Sequence, residues 1–116
     1  MRCFSVYQVP PFFLNPIRPD FAETNFVLWR LTGDTKYRER SWEMVQAIKR
    51  HAKTASGGFA EISDVTREGS QGNRQPPIFL SGTLKFLYLT FSGPETLPLN
   101  QWVFNSVGHA FPVLTN

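Results

Sequence analysis

The chain has 116 residues, of which 41% are hydrophobic and 15% aromatic, and its formal net charge is +3. This length allows one hydrophobic core, and this apolar content argues against disorder. The charged fraction is only 18%, and basic residues are interleaved with acidic ones, so the composition does not favour nucleic-acid binding. Cys3 is the only cysteine, which excludes an intramolecular disulfide.

The N-terminal region is predicted to differ from the rest of the chain. The first 19 residues contain four of the nine prolines, which excludes a long helix there. Gln8 and two prolines interrupt the only apolar stretch that could serve as an export signal, and no run is long enough to span a membrane. We predict a proline-rich lead-in at residues 1–15 and a single helical unit at residues 16–116.

Two consecutive helices are predicted in the first half of the chain. Across residues 19–32 large apolar side chains recur at helical spacing, proline suits the first turn, and Gly33 is well placed to end the helix. Asp34 or Thr35 then caps a second helix that runs to about Lys53. The short connection predicts that the two helices pack antiparallel.

One further helix is predicted in the second half. Residues 59–65 suggest a short strand or extended turn, and residues 66–75 a polar surface loop. The prolines at 76–77 begin a third helix. Its predicted apolar face comprises Leu80, Thr83, Leu84, Leu87 and Phe91. Residues 95–116 are expected to form one helical turn near Trp102 and then irregular chain, so the expected fold class is all-α, built from helical hairpins.

Two carboxylates near the start of the first helix are candidates for chemistry. Asp20 and Glu23 share one helix face, where they could act as acid and base. Acidic residues in a first helical turn also complement the helix dipole, and spacing alone favours that structural reading. His51 suits a helix C-terminus, and His109 has no carboxylate beside it for a metal site.

Four motifs follow one another along the chain. Residues 18–23 read RPDFAE, residues 28–37 read LWRLTGDTKY, residues 83–89 read TLKFLYL, and residues 103–106 read VFNS, with His109 shortly after. They resemble, in order and spacing, landmarks in the C-terminal part of family-47 glycoside hydrolases, the class I α-1,2-mannosidases. Those landmarks are an Arg-Pro-Glu-x-x-Glu-Ser block, a helical hairpin, a Glu-Ser-Phe-Phe-Leu-x-Glu-Thr-Leu-Lys-Tyr helix that aligns with residues 76–86, and a Phe-Asn-Thr-Glu-Ala-His-Pro terminus. The resemblance implies a partial (α/α) barrel.

The resemblance also implies roles for four residues. Asp20 stands where the family has the glutamate that activates water for inverting attack, and an aspartate withdraws that carboxylate by one methylene. Arg18 and Glu23 match residues that contact the sugar. Ser106 matches the threonine that binds Ca²⁺ through its hydroxyl and carbonyl oxygens.

Other matched positions lack the family's functional groups. Pro76 and Gly82 replace glutamates of the site, Ile78 replaces a phenylalanine that packs against the sugar, and Val107 replaces a glutamate near the calcium. These changes remove acceptors for sugar hydroxyls or calcium-bound water. We therefore expect the calcium site to be weakened.

The function implied is calcium-dependent, inverting hydrolysis of terminal α-1,2-mannose on N-glycans, in a segment too diverged to perform it alone. The alternative is a non-catalytic helical module that binds glycan or packs against a protein through exposed aromatic residues. The expected partners are an oligomannose N-glycan, if the pocket is completed, and a protein that covers those aromatics, with no nucleic acid and no membrane. Family members work in the secretory pathway or are secreted, which is the compartment expected by resemblance.

Overall fold

The computed structural model describes residues 17–114, so the predicted lead-in lies outside the described residues. The described part is mostly helical. Its elements are α1 (Asp20–Thr32), α2 (Thr35–His51), a π-helical segment (Phe79–Leu84) continuing into α3 (Lys85–Phe91), and a hairpin of β1 (Trp102–Phe104) and β2 (Ala110–Pro112). None of the helices within residues 17–114 combines the length and apolarity needed to cross a membrane.

Helix α1 begins and ends where the sequence predicts. Pro19 occupies the N-cap position with φ −78°, and its carbonyl accepts the Glu23 N–H at 2.7 Å. Gly33 has φ +68° and donates its N–H to the carbonyl of Trp29. Glycine adopts this left-handed conformation without steric penalty, so the chain can turn at once towards α2.

Helix α2 is capped as predicted but is slightly shorter. Asp34 accepts the N–H of Lys36 at 3.0 Å, which satisfies one of the free donors of the first turn. The helix ends at His51 rather than near Lys53. The side-chain amide of Gln71 donates to the carbonyls of both His51 and Lys53, at 2.8 and 2.9 Å. A residue from the following loop therefore caps the end of this helix.

The loop after α2 is extended but forms no continuous strand. Isolated antiparallel bridges join Lys53 to Phe59 and Ile62 to Gln71. Of the two forms predicted for residues 59–65, the extended turn is the one observed. Backbone pairing therefore orders part of the polar surface loop as well.

The third helix contains a π-helical segment that the sequence does not predict. Residues 77 and 78 are already helical, as the prolines indicate, but the π geometry begins at Phe79. A π turn holds more residues than an α turn, so it shifts the faces on which later side chains project. Leu80 and Leu84, expected in the core, are 55% and 44% exposed, whereas Phe79 and Phe86 are fully buried. The predicted apolar face is therefore wrong at Leu80 and Leu84.

The C-terminal region forms a β-hairpin instead of the predicted helical turn. Trp102 pairs with Pro112, and Phe104 pairs with Ala110. Aromatic and β-branched residues favour strands, and a pairing partner is available nearby. The hairpin shows that the prediction of a helical turn here was wrong and adds two short strands to a fold that is otherwise helical.

Three aromatic rings join the hairpin to the helices. The ring centroid of Phe26 in α1 lies 5.6 Å from that of Phe86 in α3, and Phe104 in β1 lies 5.8 and 5.2 Å from these two rings. Phe26 and Phe86 are fully buried. This cluster fixes the hairpin against α1 and α3.

Candidate functional site

Arg18, Asp20 and Glu23 lie together at the N-terminal end of α1, as the sequence predicts. Asp20 and Glu23 are three residues apart, which puts both carboxylates on one face of the helix. Nε of Arg18 is 3.9 Å from Oδ2 of Asp20, and both side chains are largely exposed. An exposed pair at this distance adds little to stability. Because both side chains are largely exposed, both groups are accessible to a ligand.

Glu23 is less exposed than its two neighbours. Partial burial raises the pKa of its carboxyl above the ordinary value of 4.5, and the negative charge of Asp20 raises the pKa further. Both causes disfavour the charged form. A perturbed carboxyl close to accessible charged groups is a feature of binding and catalytic sites.

Replacing Glu23 by glutamine is expected to stabilise the chain near neutral pH and to have no effect in acid. Because folding raises the pKa, the folded state favours the protonated carboxyl. The destabilisation due to Glu23 therefore develops as the pH rises from below 4.5 through the folded-state pKa. Urea unfolding at about pH 3.5 and about pH 7 measures the difference, with the exposed loop residue Glu68 changed to glutamine as a control. A benefit of equal size at both pH values would contradict this explanation.

Ser106 lies in the turn between β1 and β2 and is exposed. The side-chain oxygen of Asn105 accepts the N–H groups of Val107 and His109, at 3.1 and 2.9 Å. The Asn105 backbone also bonds to His109 and Gly108, each at 3.0 Å. One asparagine thus orders the turn that presents Ser106.

Gly82 brings the start of α1 and the Ser106 turn to one corner of the molecule. It lies in the π-helical segment, and both Pro19 and Gly108 pack closely against it. Pro19 directly precedes Asp20, and Gly108 follows Ser106 by two residues. Asp20 and Ser106 therefore each lie within two residues of a position packed on Gly82, and we call the region of the α1 start, Gly82 and the Ser106 turn the α1 corner.

The α1 corner offers a limited set of calcium ligands. Ser106 has a hydroxyl and a carbonyl oxygen, whereas Ca²⁺ takes six to eight oxygens. The Asn105 side-chain oxygen already accepts two N–H groups, and Nζ of Lys85 donates to the Gly108 carbonyl at 2.7 Å. Within residues 17–114 no three His, Cys, Asp or Glu side chains are grouped to hold a metal. A calcium ion held by Ser106 would therefore take few ligands from the described residues and keep most of its water.

Two residues with no predicted role in the site support the corner. Lys85 holds the Ser106 turn through the Gly108 carbonyl. The hydroxyl of Thr83 is buried and donates to the Ile17 carbonyl at 2.6 Å, just before α1. Both residues belong to the TLKFLYL motif, and membership of that motif was the only sign in the sequence that they support the site.

Three of the positions predicted to have lost their function lie at or just before the π-helical segment. Pro76 and Gly82 are buried and Ile78 is half-buried. Their side chains carry no carboxylate and no aromatic ring. These three positions therefore add no charged group, and the π-helical segment FLSGTL carries none either.

Comparison with known proteins identifies the family. The model of Glycosyl hydrolase family 47 matches residues 10–113. The chain is 44% identical over 97 residues to mannosyl-oligosaccharide alpha-1,2-mannosidase IA of Drosophila melanogaster, which covers 84% of this chain and 14% of that protein. It is 40% identical over 115 residues to mannosyl-oligosaccharide 1,2-alpha-mannosidase IB of Homo sapiens, covering 98% of this chain and 18% of that protein.

A solved structure supports the same assignment. The alpha-1,2-mannosidase from Trichoderma reesei matches with a TM-score of 0.78 and 27% identity, over 87% of this chain and 22% of that one. The chain spans 14% and 18% of the lengths of the two curated relatives. The extent of the family match and the level of identity show that this chain belongs to glycosyl hydrolase family 47.

Proposed function

We propose that the chain forms one part of a mannose-binding pocket of the α-1,2-mannosidase type and does not hydrolyse glycosidic bonds by itself. The observation that carries the proposal is the α1 corner, where Gly82 joins the start of α1 to the Ser106 turn. The named relatives are mannosidases of mannosyl-oligosaccharides. The proposed ligand is accordingly the terminal α-1,2-linked mannose of an oligomannose N-glycan.

Each residue of the corner has a role in this proposal. Asp20 would hold and deprotonate the attacking water, while Arg18 and Glu23 would bind sugar hydroxyls. Ser106 would hold calcium through its two oxygens. When bound, the ion supplies an electrophilic centre that orients neighbouring sugar hydroxyls.

The same residues explain why hydrolysis is not expected. An inverting glycosidase needs an acid and a base on opposite sides of the bond, with their carboxyls roughly 6.5–9.5 Å apart. Asp20 and Glu23 project from one helical turn and would approach a sugar from the same side. The π-helical segment contributes no further carboxylate. Water activation without a general acid leaves most of the barrier in place.

Exposed apolar side chains support a partial (α/α) barrel. Leu80, Leu84 and Tyr88 follow one another at four-residue spacing and are 55%, 44% and 69% exposed. A stripe of this kind is normally covered by another helix. We propose that helical hairpins corresponding to the remainder of a family-47 domain cover it and complete the pocket.

The proposal is tested by measuring glycan binding and mannose release with the 116-residue chain. We expect weak binding to immobilised oligomannose that falls when EDTA removes calcium, and no release of mannose. Ser106→Ala should abolish the effect of calcium on binding. Ser56→Ala, in an exposed loop distant in sequence from Ser106, should leave that effect unchanged. Mannose release that EDTA abolishes would contradict the non-hydrolytic role, and absence of binding would contradict the glycan role.

A protein-interaction module is the second candidate, and one surface favours it. Arg38, Trp42 and Phe91 border an open groove of about 470 Å³ together with Thr35, Glu39 and Glu43. Trp42 is 54% exposed and meets Phe91 edge-on at 5.9 Å. Exposed aromatic and arginine side chains are typical of protein contacts. Under this alternative, oligomannose does not bind and Trp42→Ala weakens association with a complementary helical partner.

A further inference from the structure

Gly82 lies unusually close to the start of α1. A Cβ atom at this position would be 2.9 Å from Cβ and 3.0 Å from Cγ of Pro19. Real Cβ atoms essentially never approach carbon this closely, so any side chain would push Pro19 away. The proline ring therefore fills the space next to Gly82.

Gly108 also lies very close to the π-helical segment. A Cβ atom on Gly108 would be 2.5 Å from the Ser81 carbonyl oxygen and 2.9 Å from Cα of Gly82. Its φ of +82° also favours glycine. The turn that carries Ser106 thus packs directly on the helix backbone.

The segment before Pro19 is also held tightly. Ile17 is buried and has φ +55°, which is strained for a β-branched residue. The Thr83 hydroxyl bonds to its carbonyl at 2.6 Å. These contacts keep the start of α1 pressed against the π-helical segment.

We infer that Gly82 and Gly108 are a matched pair that closes the floor of the α1 corner and so determines which groups of a sugar it can contact. Pro19, Gly82 and Gly108 form a continuous packed seam, which we call the Pro19–Gly82–Gly108 seam. It leaves no space for a side chain at position 82, so no group at that position contacts a sugar, and the contacts are left to the start of α1 and the Ser106 turn. This statement about the sugar rests on the proposed function, whereas the seam itself does not.

Gly82→Ala tests the seam by whether it raises or lowers the thermal midpoint of unfolding. Glycine to alanine within a helix ordinarily stabilises it. Here we expect the thermal midpoint to fall by about 5 °C or more, because the new methyl group meets Pro19. In a Pro19→Gly background, where both contacting carbons are absent, the same change should have a much smaller effect or raise the midpoint. A higher midpoint in the native background would overturn the inference.

Gly108→Ala has a matched control at Gly69. Gly69 has φ +76°, similar to Gly108, but nothing lies within 4 Å of a Cβ built on it. Gly69→Ala therefore introduces backbone strain without a new contact, and we expect it to lower the thermal midpoint by about 5 °C. We expect Gly108→Ala to lower the midpoint about twice as much. Equal shifts would mean that the contact with the helix backbone is unimportant, and would overturn the inference.

Gly82→Glu tests the consequence for the sugar. We expect this variant to bind α-1,2-mannobiose, with calcium present, no more tightly than the unaltered chain, and to unfold at a lower temperature. A tenfold gain in affinity would overturn the inference. The thermal results test the seam even if no sugar binds, so an unaltered chain that fails to bind mannobiose while the thermal pattern holds would contradict only the proposed function.

Discussion

Replacing Phe26 by alanine is expected to lower the free energy of unfolding by about 3–5 kcal/mol, the range for a fully buried phenylalanine. Phe26 is fully buried and contacts the rings of Phe86 and Phe104, and the Arg30 guanidinium lies 5.0 Å from its centroid. Truncation leaves a cavity where α1, α3 and β1 meet. Urea unfolding followed by circular dichroism measures the loss.

Two variants show whether this loss comes from the cavity. Phe26→Leu keeps most of the volume and should reduce stability by less than half as much as alanine. Phe21, in the same helix, is 39% exposed, and Phe21→Ala should therefore have a small effect. If Phe21→Ala were as destabilising as Phe26→Ala, the three-ring cluster would not be the centre of the core.

The helical hairpin was predictable because its signals are local. Pro19, Gly33 and Asp34 each act on the backbone within a few residues of themselves, and each does so in the structure. Such signals do not depend on what packs against the helix. The bounds of α1 and the start of α2 therefore follow from sequence alone.

The π-helical segment and the β-hairpin were not predictable because they depend on contacts distant in sequence. The seven residues of TLKFLYL fit an α-helical period, and nothing in that pattern reports the wider turn that ends within its first two residues. Trp102–Phe104 becomes a strand because Ala110–Pro112 pairs with it and because Phe104 packs on two helices. Tertiary packing of this kind overrides local preference.

The candidate site was predicted in its residues but not in its arrangement. The motifs identified Arg18, Asp20, Glu23 and Ser106. Arg18 and Ser106 are more than 80 positions apart in the sequence. Gly82, which the sequence presents only as a lost glutamate, is the residue against which both parts pack. The absence of a side chain at position 82 thus allows close packing, and a sequence motif does not reveal such a role.

Arg30 illustrates a residue whose importance appears only in the structure. It lies within the LWRLTGDTKY motif, where an arginine in the last turn of α1 reads as a dipole complement. Instead its guanidinium reaches the last turn of α3 and the chain that follows it, at distances of 3.0 to 3.2 Å. The four acceptors are the carbonyls of Leu89, Gly93, Pro94 and Thr96. One side chain therefore fixes the connection that leads into the β-hairpin.

Arg30→Ala is expected to lower the free energy of unfolding by about 2–4 kcal/mol, since four carbonyls lose a charged donor at once. Arg30→Lys keeps the charge, but a single ammonium group does not span the four carbonyls, so we expect it to recover less than half of the loss. Arg67→Ala, in an exposed loop, should change stability by no more than about 0.5 kcal/mol. Hydrogen exchange at residues 93–97 should accelerate in Arg30→Lys even where the helices stay protected. Unchanged exchange there would show that the chain after α3 is held by packing and not by the arginine.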